Sequence, residues 1–177
     1  MENISKVLES GNNQEKIRIL KTMDNINNPI ILEKIISKLD DDDIQVRGEA
    51  FSSLILNEND ISNFLIKSLN STSKNIRGFA SLVLANRNEV NSIPEIIKLT
   101  KDKRSMVRSC AIGALGHLKA ENAKEVFLES LLDSNIEVRK SALHAIIDLR
   151  ISVSEERKNE LKKEKDAELE KLLLKLK

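Results

Sequence analysis

A β-branched residue followed by arginine recurs along this chain at nearly constant intervals: Val46-Arg47, Ile76-Arg77, Val107-Arg108 and Val138-Arg139, separated by 30, 31 and 31 residues. Three residues after each arginine stands an alanine: Ala50, Ala80, Ala111 and Ala142. A period of this length marks a stack of similar supersecondary units. None can bury its apolar face alone, so the period sets the architecture before any single motif is read.

Counted from the arginine, positions −1, +3, +6, +7 and +10 fall within one arc of about 100° on a helix. They read as the buried face of the second helix of each unit, with alanines allowing close approach and Leu54, Leu84, Leu115 and Ile146 filling the space behind. First helices are visible as Ile31-Leu32 with Ile35-Ile36, Ile61 with Phe64-Leu65, Ile93 with Ile96-Ile97, and Val126-Phe127 with Leu131. Six residues before each arginine stands Asp41, Ser71, Asp102 or Asp133, in the turn between the two helices. There its oxygen can accept from free backbone N–H groups at the next helix start. Each arginine is then within reach of an aspartate in its own unit or the adjacent one, which makes Arg47, Arg77, Arg108 and Arg139 structural residues. A degenerate first unit is aligned on Ile17-Arg18, as suits a terminal cap with one side facing water.

The pattern Asp133-x-x-x-x-Val138-Arg139-x-x-Ala142-x-x-Ala145-Ile146, with Asp102-x-x-x-x-Val107-Arg108-x-x-Ala111-x-x-Ala114-Leu115-Gly116, resembles the HEAT-like repeat of the phycobilisome-lyase type. The resemblance covers some 120 to 150 residues. It implies an all-α solenoid (superhelix) of about five HEAT-like helix pairs plus a C-terminal helix. The units are placed at about 1–27, 28–57, 58–88, 89–119 and 120–151, with a charged C-terminal helix over 152–177.

Enzymes of this resemblance carry distinct signatures. Deoxyhypusine-hydroxylase-like relatives carry His-Glu dipeptides for a di-iron site. Here His117 precedes Leu118 and His144 precedes Ala145, and two histidines cannot supply that ligand set. HEAT-like DNA glycosylases use tryptophan and tyrosine, and this chain has neither. Gly113-Ala-Leu-Gly116 lies within a helix and lacks the lysine of a phosphate loop. The run Asp40 to Asp43 reads as a capped, solvated turn. The expectation is therefore no enzyme, no cofactor and no metal site.

A formal net charge of +1 gives no concentrated basic surface, so no nucleic-acid partner is expected. Cys110, the single cysteine, sits among apolar residues as a small hydrophobe. No stretch approaches 18 apolar residues, so no membrane partner is expected, and the chain reads as cytoplasmic.

The expected binding surface is the concave face of the second helices, at positions +1, +5 and +8. Across the units these are Gly48, Gly78, Ser109 and Lys140; then Ser52, Leu82, Gly113 and His144; then Ile55, Ala85, Gly116 and Ile147. The small residues either let helices stack or form a shallow groove for an amphipathic helix or extended peptide. The function so read is a non-enzymatic protein-interaction scaffold or adaptor binding a protein segment. The alternative is an accessory or chaperone-like subunit of a cofactor-attaching enzyme, as the lyase resemblance implies.

From Glu155 to Lys171, 13 of 17 residues are charged. Only the end is amphipathic, with Leu169, Leu172, Leu173 and Leu176 at helical spacing. This segment caps the last repeat, projects into solvent, or joins a second copy in a homo-oligomer.

Overall fold

The computed structural model describes residues 2–176, and among these every regular element is helical. Two compact units divide the chain, Met1–Ser92 and Ile93–Lys177. The first contains α1 (Glu2–Ser10), α2 (Asn13–Leu20), α3 (Pro29–Ser37), α4 (Ile44–Leu56), α5 (Ser62–Ser68) and α6 (Lys74–Asn86). The second contains α7 (Ile93–Leu99), α8 (Ser105–His117), α9 (Lys124–Ser130), α10 (Ile136–Asp148), α11 (Glu155–Leu161) and α12 (Ala167–Leu173).

The second helix of every pair starts at a regular station. Its N-cap is Asn12, Asp43, Ser73, Arg104, Asn135 or Asp166, at intervals of 31, 30, 31, 31 and 31 residues. All but Arg104 accept a backbone N–H of the first turn on a side-chain oxygen, satisfying donors that have no partner inside the helix. Asn12 closes a full capping box with Glu15.

This register places the pairs differently at both ends. In the first pair the station of the arginine belongs to Lys16, four residues after its cap, and not to Arg18. At the other end, the single charged helix read from the sequence is two helices, α11 and α12, and α12 begins on the next station of the period. The short turn around Asp166, which caps α12 through Glu168 and Leu169 N–H, breaks the segment.

The arc at −1, +3, +6 and +7 is the core. Val46, Val107 and Val138 are fully buried, as are the four alanines at +3, and Leu54, Leu84, Leu115 and Ile146 are at most 1% exposed. Leu169 takes the −1 position in α12 and is also fully buried. Among the four arginine-bearing helices Ile76 is the exception at −1 and lies half-buried, and in α2 the −1 station is the exposed Glu15.

Helices α6, α8 and α10 end alike. Asn88, Lys119 and Arg150 follow them in the left-handed region, with φ of 56°, 51° and 55°. The next N–H in each case turns back to a carbonyl five residues earlier, as in Ala120 to Leu115 at 3.0 Å, which closes the helix end. Helix α4 lacks such a residue, because Asn57 is extended. Arg87 closes this end instead, its guanidinium donating to the oxygen of Leu54 in the last turn and to those of Asn57 and Asn59 just beyond it, at 3.1, 2.5 and 2.8 Å.

Candidate functional site

The turn aspartates and the arginines make one recurring device. Asp41, Ser71, Asp102 and Asp133 each accept from the backbone N–H of the cap residue two positions on, at 3.1, 3.2, 2.8 and 2.8 Å. Each arginine then donates to the carbonyl of that turn residue, six positions before it: Arg47 to Asp41, Arg77 to Ser71, Arg108 to Asp102 and Arg139 to Asp133, at 2.5 to 2.8 Å. Arg108 also forms a two-pronged pair with the Asp133 carboxylate, at 2.6 and 2.7 Å. The same step of 25 residues joins Lys16 to Asp41 at 2.9 Å and Arg139 to Glu164 at 3.0 Å. These groups hold pairs of helices in register, and their charges are consumed in doing so.

Their protonation follows from this geometry. Burial alone would raise the Asp133 pKa, but the Arg108 hydrogen bonds, the Asn135 N–H and the nearby guanidiniums hold it below the usual carboxylate range. Asp41 is lowered in the same way by Lys16, the Asp43 N–H and Lys38 against the opposing effect of burial. Arg108 is raised, first by its hydrogen bonds to Asp133.

The open face of the second helices is rotated from the one expected. Of the +5 row, Ser52, Gly113 and His144 are exposed and Leu82 is half-buried. Of the other two rows, Gly78, Ala85 and Lys140 are buried, while Ile55, Ser109, Gly116 and Ile147 are half-buried and only Gly48 is exposed. In the second unit the reason is visible: those rows of α8 face α10. The Ser109 hydroxyl is 2.9 Å from that of Ser141, and a methyl group added at Gly116 would lie 2.9 Å from the Ala145 Cβ. A helix in a stack is covered on one flank by the following helix, so the free arc shifts towards the other flank.

That shift brings in a row absent from the sequence reading. Position +9 carries Leu56, Asn86, His117 and Asp148, all exposed. The signal was available in part, since +9 lies about 40° from +5 on a helix, but the direction of the covered flank is a property of the stack. In the first unit the ridge is mostly uncharged: Gln45, Ser52 and Leu56 on α4, with Leu82 and Asn86 on α6. Phe51 and Phe79 bridge these helices edge to face, with ring centroids 6.4 Å apart.

In the second unit, Gly113, Gly116 and His117 of α8 and Ser141, His144, Ala145 and Asp148 of α10 line a cavity of about 290 Å³. Gly113 forms part of its wall, and a Cβ there would meet nothing within 4 Å. Two imidazoles, one hydroxyl and one carboxylate give this cavity hydrogen-bonding groups of both kinds. Cys110 lies half-buried on α8, and burial pushes its thiol up to about 11, the wrong direction for a nucleophile. Among the described residues no cluster of three or more His, Cys, Asp or Glu side chains could hold a metal ion. No helix among them is long and apolar enough to cross a membrane.

Lys140 is not an open contact. Its ammonium lies 2.9 Å from Glu168, 3.3 Å from Asp166 and 3.4 Å from Glu137. The Glu168 hydrogen bond, chief among these, holds its pKa well above the usual lysine range.

The pairs so arranged define an all-α solenoid of the HEAT and armadillo class. Residues 62–147 match the family model for HEAT repeats. Among solved structures the chain is similar to a designed armadillo repeat protein in complex with the peptide (KR)4, at 20% identity and a TM-score of 0.61, covering 98% of this chain and 96% of that one. It is also similar to an engineered protein at 18% identity and 0.62, covering 99% and 95%. The complex of CpcE and CpcF of phycocyanin lyase from Nostoc sp. PCC7120 matches at 18% identity and 0.60, covering 98% and 74%. At these identities the likeness is one of fold. No curated protein matches.

Proposed function

We propose that this chain is a non-enzymatic interaction scaffold that accepts a protein segment along the open face of its second helices, at positions +5 and +9. HEAT and armadillo folds are typical of protein-binding scaffolds. The observation that carries the finer reading is the cavity between α8 and α10. A glycine inside a helix costs about 1 kcal/mol relative to alanine, and at Gly113 no neighbour in the chain requires one. The absence of a side chain leaves room there for a backbone or side chain approaching from outside.

The designed armadillo neighbour is in complex with the peptide (KR)4, which supports a fold of this kind as a peptide holder. In this reading Gly113, His117, His144 and Asp148 contact the segment in the second unit, where the cavity lies. The apolar stripe of the C-terminal segment is largely used within the chain, since Leu169, Leu172 and Leu173 are buried. Within one chain, that makes the segment a cap on the last repeat.

The test is site-specific photocrosslinking. A photoreactive residue at Gly113 or His144 is expected to trap one and the same partner, while the same residue at Lys124 or Glu125, exposed on the first helix α9, traps none. Equal yields from both sets of positions would remove the ridge as the binding face.

A further inference from the structure

The last pair is attached differently from the others. Position +1 is Gly48, Gly78 and Ser109 in the preceding second helices and becomes Lys140 in α10. Its partners Asp166 and Glu168, together with Glu164 against Arg139, all come from the turn before α12 and its first residues. Beside this ionic row, Leu169, Leu172 and Leu173 are buried, and α12 packs on α10. The match is specific: a basic stacking face on α10 meets an acidic, leucine-bearing helix.

The same seam is weak in three ways. Glu164 and Glu168 are 46% and 60% exposed, so water and salt screen their part of the attraction. Helices α11 and α12 have seven residues each, too few to persist without docking. Packing at the far end is incomplete, because Ile146, Ile147, Arg150 and Ile151 face Lys175 and Leu176 across a cavity of about 280 Å³.

We propose that α11 and α12 form an ionically latched cap that opens as one unit while α7 to α10 stay folded. The α10 face it uncovers is a docking site for an acidic amphipathic helix, and the occupant that fits is the same segment of a second copy. This site is separate from the ridge of positions +5 and +9 and does not depend on it. Arg139 and Lys140 bind the acidic groups preceding and opening the incoming helix, and the leucines at the spacing of Leu169, Leu172 and Leu173 fill the apolar surface beyond.

A labelled synthetic peptide of residues 152–176, titrated into the full chain, tests this together with amide hydrogen exchange on the same proteins. In the wild type, amides of α11 and α12 exchange about tenfold or more faster than those of α8 and α10. Glu168→Gln, at an exposed position, widens that gap and binds the peptide more tightly, because the competing internal segment is loosened. Lys140→Met also loosens the cap yet loses peptide binding, since the receiving charge is gone. Exchange of α11 and α12 at the rate of α10 overturns the opening. Peptide binding to Lys140→Met as tight as to Glu168→Gln, or binding to neither, overturns the docking site.

Discussion

Replacing Arg87 by methionine removes the cap of a helix that lies more than 30 residues upstream. The Arg87 guanidinium donates to the carbonyls of Leu54 and Ile55 in the last turn of α4, and to Asn57 and Asn59 just beyond it. Its side chain is 11% exposed, and Asn57 itself is buried. Methionine keeps much of the apolar stem, so the change isolates the polar head. A hydrogen bond to a charged group is worth roughly 1.5–3 kcal/mol, and such contacts on one head do not add in full. The long contact to Ile55, at 3.4 Å, adds little, and the Glu89 pair is a partly exposed ion pair of at most about 1 kcal/mol. Loss of the short bonds to Asn57 and Asn59, which tie the chain just beyond α4, and of the Leu54 bond in its last turn therefore costs about 2–4 kcal/mol, since that end has no left-handed residue to turn an N–H back to its carbonyls. Urea unfolding followed by far-ultraviolet circular dichroism reads the global change. Amide exchange along α4 locates it, which matters in a repeat protein whose units can unfold separately. A loss below about 0.5 kcal/mol, the size of an ordinary surface substitution, with α4 exchange unchanged, would refute the capping role.

Gly116→Ala is expected to destabilise by about 1–2 kcal/mol despite the helix propensity gained, because its Cβ would lie 2.9 Å from that of Ala145 and the neighbour cannot rotate away. Gly113→Ala, opening on empty space, should stabilise by about 0.5–1 kcal/mol. Thermal unfolding of the two variants must therefore shift in opposite directions. Lys119→Gly relieves a left-handed lysine at φ 51° and is expected to raise the unfolding midpoint by the equivalent of about 0.5–1 kcal/mol; an unchanged or lower midpoint contradicts it. Asp133 has a depressed folded pKa. Its contribution is thus fully present above the unfolded value of about 3.9 and is lost as pH falls through the folded value. Asp133→Asn should be less stable than wild type at pH 7, and the difference should shrink steadily under acid. A difference that persists at pH 2 would mean that the Arg108 pair is not its source.

Local chemistry in the sequence was enough to define the repeat. Alanine at +3 and leucine at +7 share one apolar face, and an aspartate two residues ahead of a cap is placed to accept the backbone N–H there, so the buried arc and the turns were legible from spacing. The ends were harder to read. Lys16 replaces the arginine of the first pair without the residues that mark the later ones, and the dense charge of the C-terminal segment masks a helix start at Asp166. Arg87 carries no local signal at all, because its acceptors lie across the fold on α4.

The period, the helical class and the identity of the core residues were determined by the sequence alone, since they depend on which residues share one face of one helix. Which remaining flank stays open was decided only by the tertiary structure. Burial of Gly78, Ala85 and Lys140, and exposure of Leu56, Asn86, His117 and Asp148, depend on what covers each helix, a three-dimensional relation that no single helix encodes.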